Sequence, residues 1–169
     1  MKKLKEMLEE CGAVRYGEFT LTSGKKSSYY VDIKRASTQP RILRTIADGM
    51  SEYIDCSRIA GMELGAVPIA AAVSLATDIP FVMIRKKKRK HGTGSRVEGG
   101  LEKGEKVVVV EDVTTTGGSS VETVDVLREE GVVVDTVISV VDRNEGAREA
   151  LSKIDVKLIS LVSASELTG

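Results

Sequence analysis

The densest chemistry in the chain lies in VVVVEDVTTTGGSS, residues 107–120. Four valines lead through adjacent carboxylates, Glu111 and Asp112, and Val113 into a turn of hydroxyls and glycines: Thr114, Thr115, Thr116, Gly117, Gly118, Ser119 and Ser120. A valine run without polar alternation is the pattern of a strand buried on both faces. The glycines let backbone close around an anion with no Cβ in the way, and the hydroxyls add donors. A helix opening near Ser119 would present unpartnered N–H groups and the positive end of its dipole to a phosphate. Glu111 and Asp112 fall just outside that cradle. As acceptors they would repel phosphate but could take sugar hydroxyls or help hold a divalent cation. The implied ligand is a phosphate carried beside a ribose. An ordinary strand-to-helix turn needs far less than TTTGGSS. The segment lacks the GK[ST] ending of a nucleotide-binding P-loop, and no GxGxxG occurs, which disfavours nucleoside triphosphates and dinucleotides.

A second segment, residues 86–103 (KKKRKHGTGSRVEGGLEK), is basic, glycine-rich and almost free of apolar side chains, so it is expected to form no packed element. Loops of this length within a compact domain are usually functional lids or disordered stretches. A basic run is more often a solvated face or a nucleic-acid patch. Here it follows a strand directly, holds the only histidine, His91, and sits in a chain whose 25 basic and 25 acidic side chains cancel. Local capture of an anion fits that context better. Arg143 closes another strand, where it could serve an anionic ligand or simply pair with Asp142.

The elements that must position these groups alternate. Short β-branched runs at 58–61, 81–84, 106–111, 132–142 and 157–162 are separated by helical spacing at 67–77 and 119–130, with a further helix at 41–53. This is an α/β pattern: a mostly parallel sheet wrapped by helices, with ligands at the carboxyl ends of the strands. Pro68 is tolerated in the first turn of its helix, and Gly131 stops the helix before it. The N-terminal MKKLKEMLEECGAV reads as an amphipathic helix, since Lys5, Glu6, Glu9 and Glu10 interrupt its apolar residues.

At 169 residues and 41% hydrophobic, the chain suits one domain with one substantial core. Zero net charge argues against nucleic acid or anionic lipid as partner. No apolar stretch approaches the ~18 residues of a membrane span. Cys11 and Cys56 lack metal or disulfide spacing, so a reducing cytoplasm is expected.

EDVTTTGGSS resembles the 5-phosphoribosyl-1-diphosphate (PRPP) motif of the type I phosphoribosyltransferases. GEFTLTSGKKSSYYVD (17–32), RKKKRKHGTG (85–94) and VVDRNEGARE (140–149) resemble, in order, those of the orotate phosphoribosyltransferase family. The resemblance implies a type I phosphoribosyltransferase fold with an N-terminal hood over about residues 1–40 and a flexible lid over about 86–103. It implies transfer of the phosphoribosyl group from PRPP to orotate, giving orotidine 5′-monophosphate and diphosphate. PRPP would be bound by Arg85, Lys86, Arg89, His91 and the stretch Glu111, Asp112, Val113, Thr114, Thr115, Thr116, Gly117, Gly118 and Ser119. Lys86, His91 and Asp112 would be catalytic; Thr115, Arg143, Tyr29 and Tyr30 would meet orotate. Mg²⁺ would be held mainly by PRPP, assisted by Glu111 and Asp112. A homodimer with shared sites is implied, Lys86 reaching into the neighbour's site. Three positions depart from the family. Arg89 replaces a lysine, and Thr22 and Gly65 stand where many members carry lysines. The last two leave open a transferase for another base, such as a purine, or a PRPP-sensing regulator.

Overall fold

The computed structural model describes residues 2–20, 26–87 and 95–168. Its main sheet has six strands in the order β5-β4-β3-β6-β7-β8. They are β3 (Arg58–Met62), β4 (Phe81–Ile84), β5 (Val97–Glu98), β6 (Lys106–Thr114), β7 (Val133–Asp142) and β8 (Lys157–Ser163). All neighbours are parallel except β4 with β5. The valine run sits mid-sheet. Val108 and Val110 face one core with helices α3 (Pro40–Ser51) and α4 (Ala66–Thr77), whereas Val107 and Val109 face the other. Helices α5 (Gly118–Glu129) and α6 (Ala147–Ser152) cover that second face through Val124, Leu127 and Leu151. The two-residue alternation of a strand thus serves two cores at once. Each of the four valines is at most 1% exposed, and full burial of such a side chain contributes about 1.5–3 kcal/mol.

The described residues before α3 form α1 (Lys2–Glu10), an antiparallel pair β1 (Val14–Thr20) and β2 (Lys26–Val31), and α2 (Ile33–Ser37). Leu4, Met7 and Leu8 of α1 join the α3/α4 core. The Tyr16 hydroxyl donates to Glu9 Oε1 (2.6 Å) and to the Leu167 carbonyl (2.7 Å) of α7 (Ala164–Thr168), binding both ends of the chain together.

The expected helices and strands of the main sheet appear within a few residues. β6 runs three residues longer than expected, because β7 pairs with it as far as Thr114 opposite Asp142. The expectation of no packed element over 86–103 fails at its second half. Val97–Glu98 pairs with Met83 and Ile84 as an edge strand, and Val97 and Leu101 pack on the second core. Arg85 N donates to the Arg96 carbonyl (2.8 Å), Arg96 Nε donates back to the Arg85 carbonyl (2.7 Å), and Arg96 pairs with Glu122 of α5 at 2.7 Å. Two apolar side chains and one deeply placed arginine suffice to pin the stretch.

Candidate active site

The turn between β6 and α5 lies at the carboxyl edge of the sheet. Gly117 caps α5 at φ 85°, and a Cβ there would stand 2.9 Å from Ala147 Cα. Only glycine meets both the left-handed backbone and the close approach. Thr115, Thr116, Gly118 and Ser119 are exposed around the opening of α5, where helix N–H groups seek an acceptor. Thr114 is not among them, contrary to its expected place in the phosphate cradle. It is 2% exposed, and its hydroxyl lies 3.3 Å from Asp142 Oδ1 and 3.4 Å from Ser139 Oγ, inside the sheet. Strand alternation turns it into the sheet toward β7, and Val113, on the other phase, packs partly buried against the core. Ser120 is likewise buried and donates to Glu111 Oε1 at 3.3 Å.

Glu111, Asp112, Val113, Ser119, Lys86 and the Glu63–Gly65 turn bound a cleft of about 320 Å³, with Lys34 of α2 on its rim. Asp112 accepts from Val113 N (2.8 Å) and lies 3.7 Å from Lys34 Nζ. Its Oδ2 falls 2.0 Å from where a Cβ on Gly65 would be, so glycine there makes room for the carboxylate. Lys86 N donates to Glu63 Oε1 (2.9 Å). The resemblance sends Lys86 to a neighbouring subunit, but in the single chain it lines its own cleft. Arg85, expected to grip diphosphate, lies outside the lining and pairs with Glu98 at 3.4 Å. Arg89, His91 and Thr22 lie outside the described residues.

Burial, reinforced by the Asp112 charge, pushes the Glu111 carboxyl from 4.5 up to about 8, against the Ser120 hydrogen bond and the Lys86 charge. From pH 4.5 to about 8 the folded chain therefore keeps a proton that the unfolded chain loses. Stability should fall as pH rises through that window. Glu111→Gln should flatten this slope, gaining on the wild type toward pH 8, as thermal unfolding across pH would show. Parallel pH profiles for the two proteins would place an ionised Glu111 in the fold.

Beyond β7, Arg143 is 8% exposed. Its guanidinium carbon lies 4.7 Å from the Tyr29 ring centroid, Nη2 donates to Ser27 Oγ (3.2 Å) and Nε pairs with Glu145 (2.7 Å). It does not pair with Asp142, which accepts instead from Asn144 N (3.0 Å) and Arg148 Nη2 (3.3 Å). Tyr29 and Tyr30, both expected beside the base, face opposite ways. Tyr29 meets Arg143, whereas Tyr30 sits against Phe19 (5.7 Å) and Arg15 (5.3 Å). Successive strand residues cannot share a face. Burial raises the Tyr29 pKa, with Arg143 opposing. Arg143 N donates to the Thr114 carbonyl (2.9 Å) and Ala147 N to the Thr115 carbonyl (3.0 Å), so the Arg143 loop is joined to the turn between β6 and α5.

Sequence reasoning missed Lys34, Glu63 and Ser27. Only Lys34 left a signal: Asp32 caps α2 by accepting from Arg35 N (3.3 Å), and an aspartate before a short apolar-periodic run is a readable helix start.

A turn of glycines and hydroxyls, paired acidic side chains and Arg143 over the Tyr29 ring thus meet at the carboxyl edge of the sheet. The family model for the phosphoribosyl transferase domain matches residues 33–166, and the chain belongs to that family. Over 167 residues it is 52% identical to the orotate phosphoribosyltransferase of Methanocaldococcus jannaschii, covering 98% of this chain and 95% of the relative. A crystal structure of orotate phosphoribosyltransferase from Aeropyrum pernix superposes with TM-score 0.88 at 37% identity, covering 97% of this chain and 95% of that one. The orotate phosphoribosyltransferase of Mycobacterium tuberculosis H37Rv, solved in complex with PRPP, is 33% identical with TM-score 0.82, over 99% of this chain and 98% of that one.

Proposed function

We propose that the protein transfers the 5-phosphoribosyl group of PRPP to orotate, releasing orotidine 5′-monophosphate and diphosphate. The observation that carries the reading is Arg143, held over the Tyr29 ring and bonded through its backbone to the turn after β6. A planar guanidinium fork suits a carboxylate, and orotate is the carboxylated base. Thr115, Thr116, Gly117, Gly118 and Ser119 hold the 5-phosphate, and Glu111 and Asp112 take the ribose hydroxyls. Thr115 and Tyr29 border the base. Orotate nitrogen attacks C1′ as the C1′–oxygen bond to diphosphate breaks, with inversion at C1′. The chain's task is to align the two substrates, exclude water and meet the departing charge with Lys86, Arg89 and His91.

Among the described residues no three His, Cys, Asp or Glu side chains cluster as a metal cage. Glu111 and Asp112 fit a cation whose other ligands come from PRPP. Mg²⁺ so bound would neutralise diphosphate charge. No helix among the described residues is long and apolar enough to cross a membrane, and the two free thiols fit a cytoplasmic setting.

The assembly we propose is a two-fold homodimer with shared sites. Its support is a groove of about 410 Å³ between α3 and α4, edged by Leu43, Ala47, Ala72 and Leu75. Leu75 is 87% exposed, and Leu64, at the cleft, is 74% exposed. Arg44 and Asp48, opposite charges one turn apart on α3, border the same groove and could pair across a two-fold axis. Leu75→Glu should weaken the dimer at least about tenfold, since it buries an unpaired charge. Light scattering against concentration would read that shift; an unchanged dimer would place the interface elsewhere.

The test of function is a panel of bases with PRPP and Mg²⁺. Orotate should be consumed and purines should not. Faster use of hypoxanthine or adenine would overturn the base assignment, and PRPP binding without turnover of any base would favour a regulator.

A further inference from the structure

We infer that Lys34 is a diphosphate-binding residue of this site, supplying from α2 a second cation to the cleft that Lys86 lines. The inference rests on the proposed use of PRPP. Three acidic side chains line the cleft, Glu63 and Asp112 beside the buried Glu111, and among the described side chains lining it only Lys34 and Lys86 bring positive charge. A site with that balance cannot take a diphosphate unless its cations turn to the ligand.

Position matters as much as sign. Asp112 Oδ2 faces Lys34 Nζ at 3.7 Å and lies against the Gly65 backbone, where α4 begins with no side-chain cap. Lys34 therefore stands by the Asp112 oxygen that abuts Gly65, in the cleft that Lys86 also lines. With the carboxylate occupying the space of a Cβ at 65, that position offers only backbone N–H, and the side-chain cation must come from α2. Helix α2 holds it there: Ile33 and Ala36 are fully buried, and Asp32 caps the helix start. The next cation, Arg35, is turned away, its Nε donating to the Cys11 carbonyl at 2.8 Å.

Lys34 itself is 60% exposed, and a pair of that length and exposure adds little to stability. Its side chain is free to exchange Asp112 for a phosphate oxygen, and removing it should leave the fold intact. The step involves no bond making. Lys34 adds attraction for the diphosphate before reaction and charge compensation as it leaves.

Calorimetric titration with Mg²⁺ and no base present separates this inference from the identity of the base. In Lys34→Met, which keeps an apolar stem, PRPP and diphosphate should each bind about tenfold more weakly, the scale of one lost charge-assisted contact. Ribose 5-phosphate, which lacks the diphosphate, should bind both proteins alike, and Lys34→Arg should restore most of the PRPP affinity. Wild-type affinity for PRPP in Lys34→Met overturns the inference, as does equal weakening of ribose 5-phosphate. A wild-type protein that binds no PRPP would instead overturn the proposed function, and the role of Lys34 with it.

Discussion

In Asp112→Asn, orotate consumption per folded molecule should fall about 100-fold or more, the scale set by removing one preorganised electrostatic partner of a transition state. The change is nearly isosteric, so the fit against Gly65 is kept, and an amide oxygen can still accept from Val113 N. What disappears is the negative charge proposed to face ribose and its cation. The structural loss is small, because the ion pair Asp112 makes among the described residues is the exposed 3.7 Å contact with Lys34. Melting temperature should therefore hardly move while kcat/KM collapses. If the melting temperature fell and activity per folded molecule survived, Asp112 would be a spacer for the Gly65 turn.

The second large effect is expected at Arg143. Arg143→Ala should cost about 2 kcal/mol in kcat/KM for orotate, close to thirtyfold, as for a lost charge-assisted bidentate contact. Some destabilisation should accompany it, since Glu145 loses its 2.7 Å partner and the Tyr29 ring its cover. Arg143→Lys separates the two causes. It keeps the charge for Glu145 but not the planar fork, so stability should recover more than orotate use. PRPP affinity measured without base should change little in either variant. An unchanged KM and kcat for orotate in Arg143→Ala would remove the residue from base recognition.

Much of the fold is legible before any coordinates. The valine run announces β6 because a strand with helices on both sides needs no polar face, and the alanine-rich 67–77 stretch announces α4 by length and composition. The β1–β2 pair was not legible. β1 is mostly exposed and shows no alternation, since a two-stranded sheet buries too little to impose one. Val97–Glu98 is a strand only because Met83 and Ile84 lie alongside, a long-range pairing no local pattern encodes. The site divides in the same way. Residue types named Glu111, Asp112, Gly117 and Arg143, but not which way Thr114, Tyr30 and Arg85 point. Those directions depend on strand phase and on partners such as Asp142 and Glu98. The helix start before Lys34 is readable, but its pairing with Asp112 is not, because that contact joins elements far apart in the chain.

The seating of Gly117 on the Ala147 backbone bears on how readily this scaffold could be given a different base. With a Cβ at 117 only 2.9 Å from Ala147 Cα, and with backbone bonds from 143 to 114 and from 147 to 115, the two loops behave as a matched pair. A graft of residues 143–147 from a purine-specific relative would have to reproduce that backbone path as well as new side chains. Any shift of Ala147 would be felt at once by the turn proposed to hold the 5-phosphate. Exchange of base preference should therefore succeed by point changes around Arg143 and Tyr29, or by moving both loops together, and fail when the base loop is moved alone.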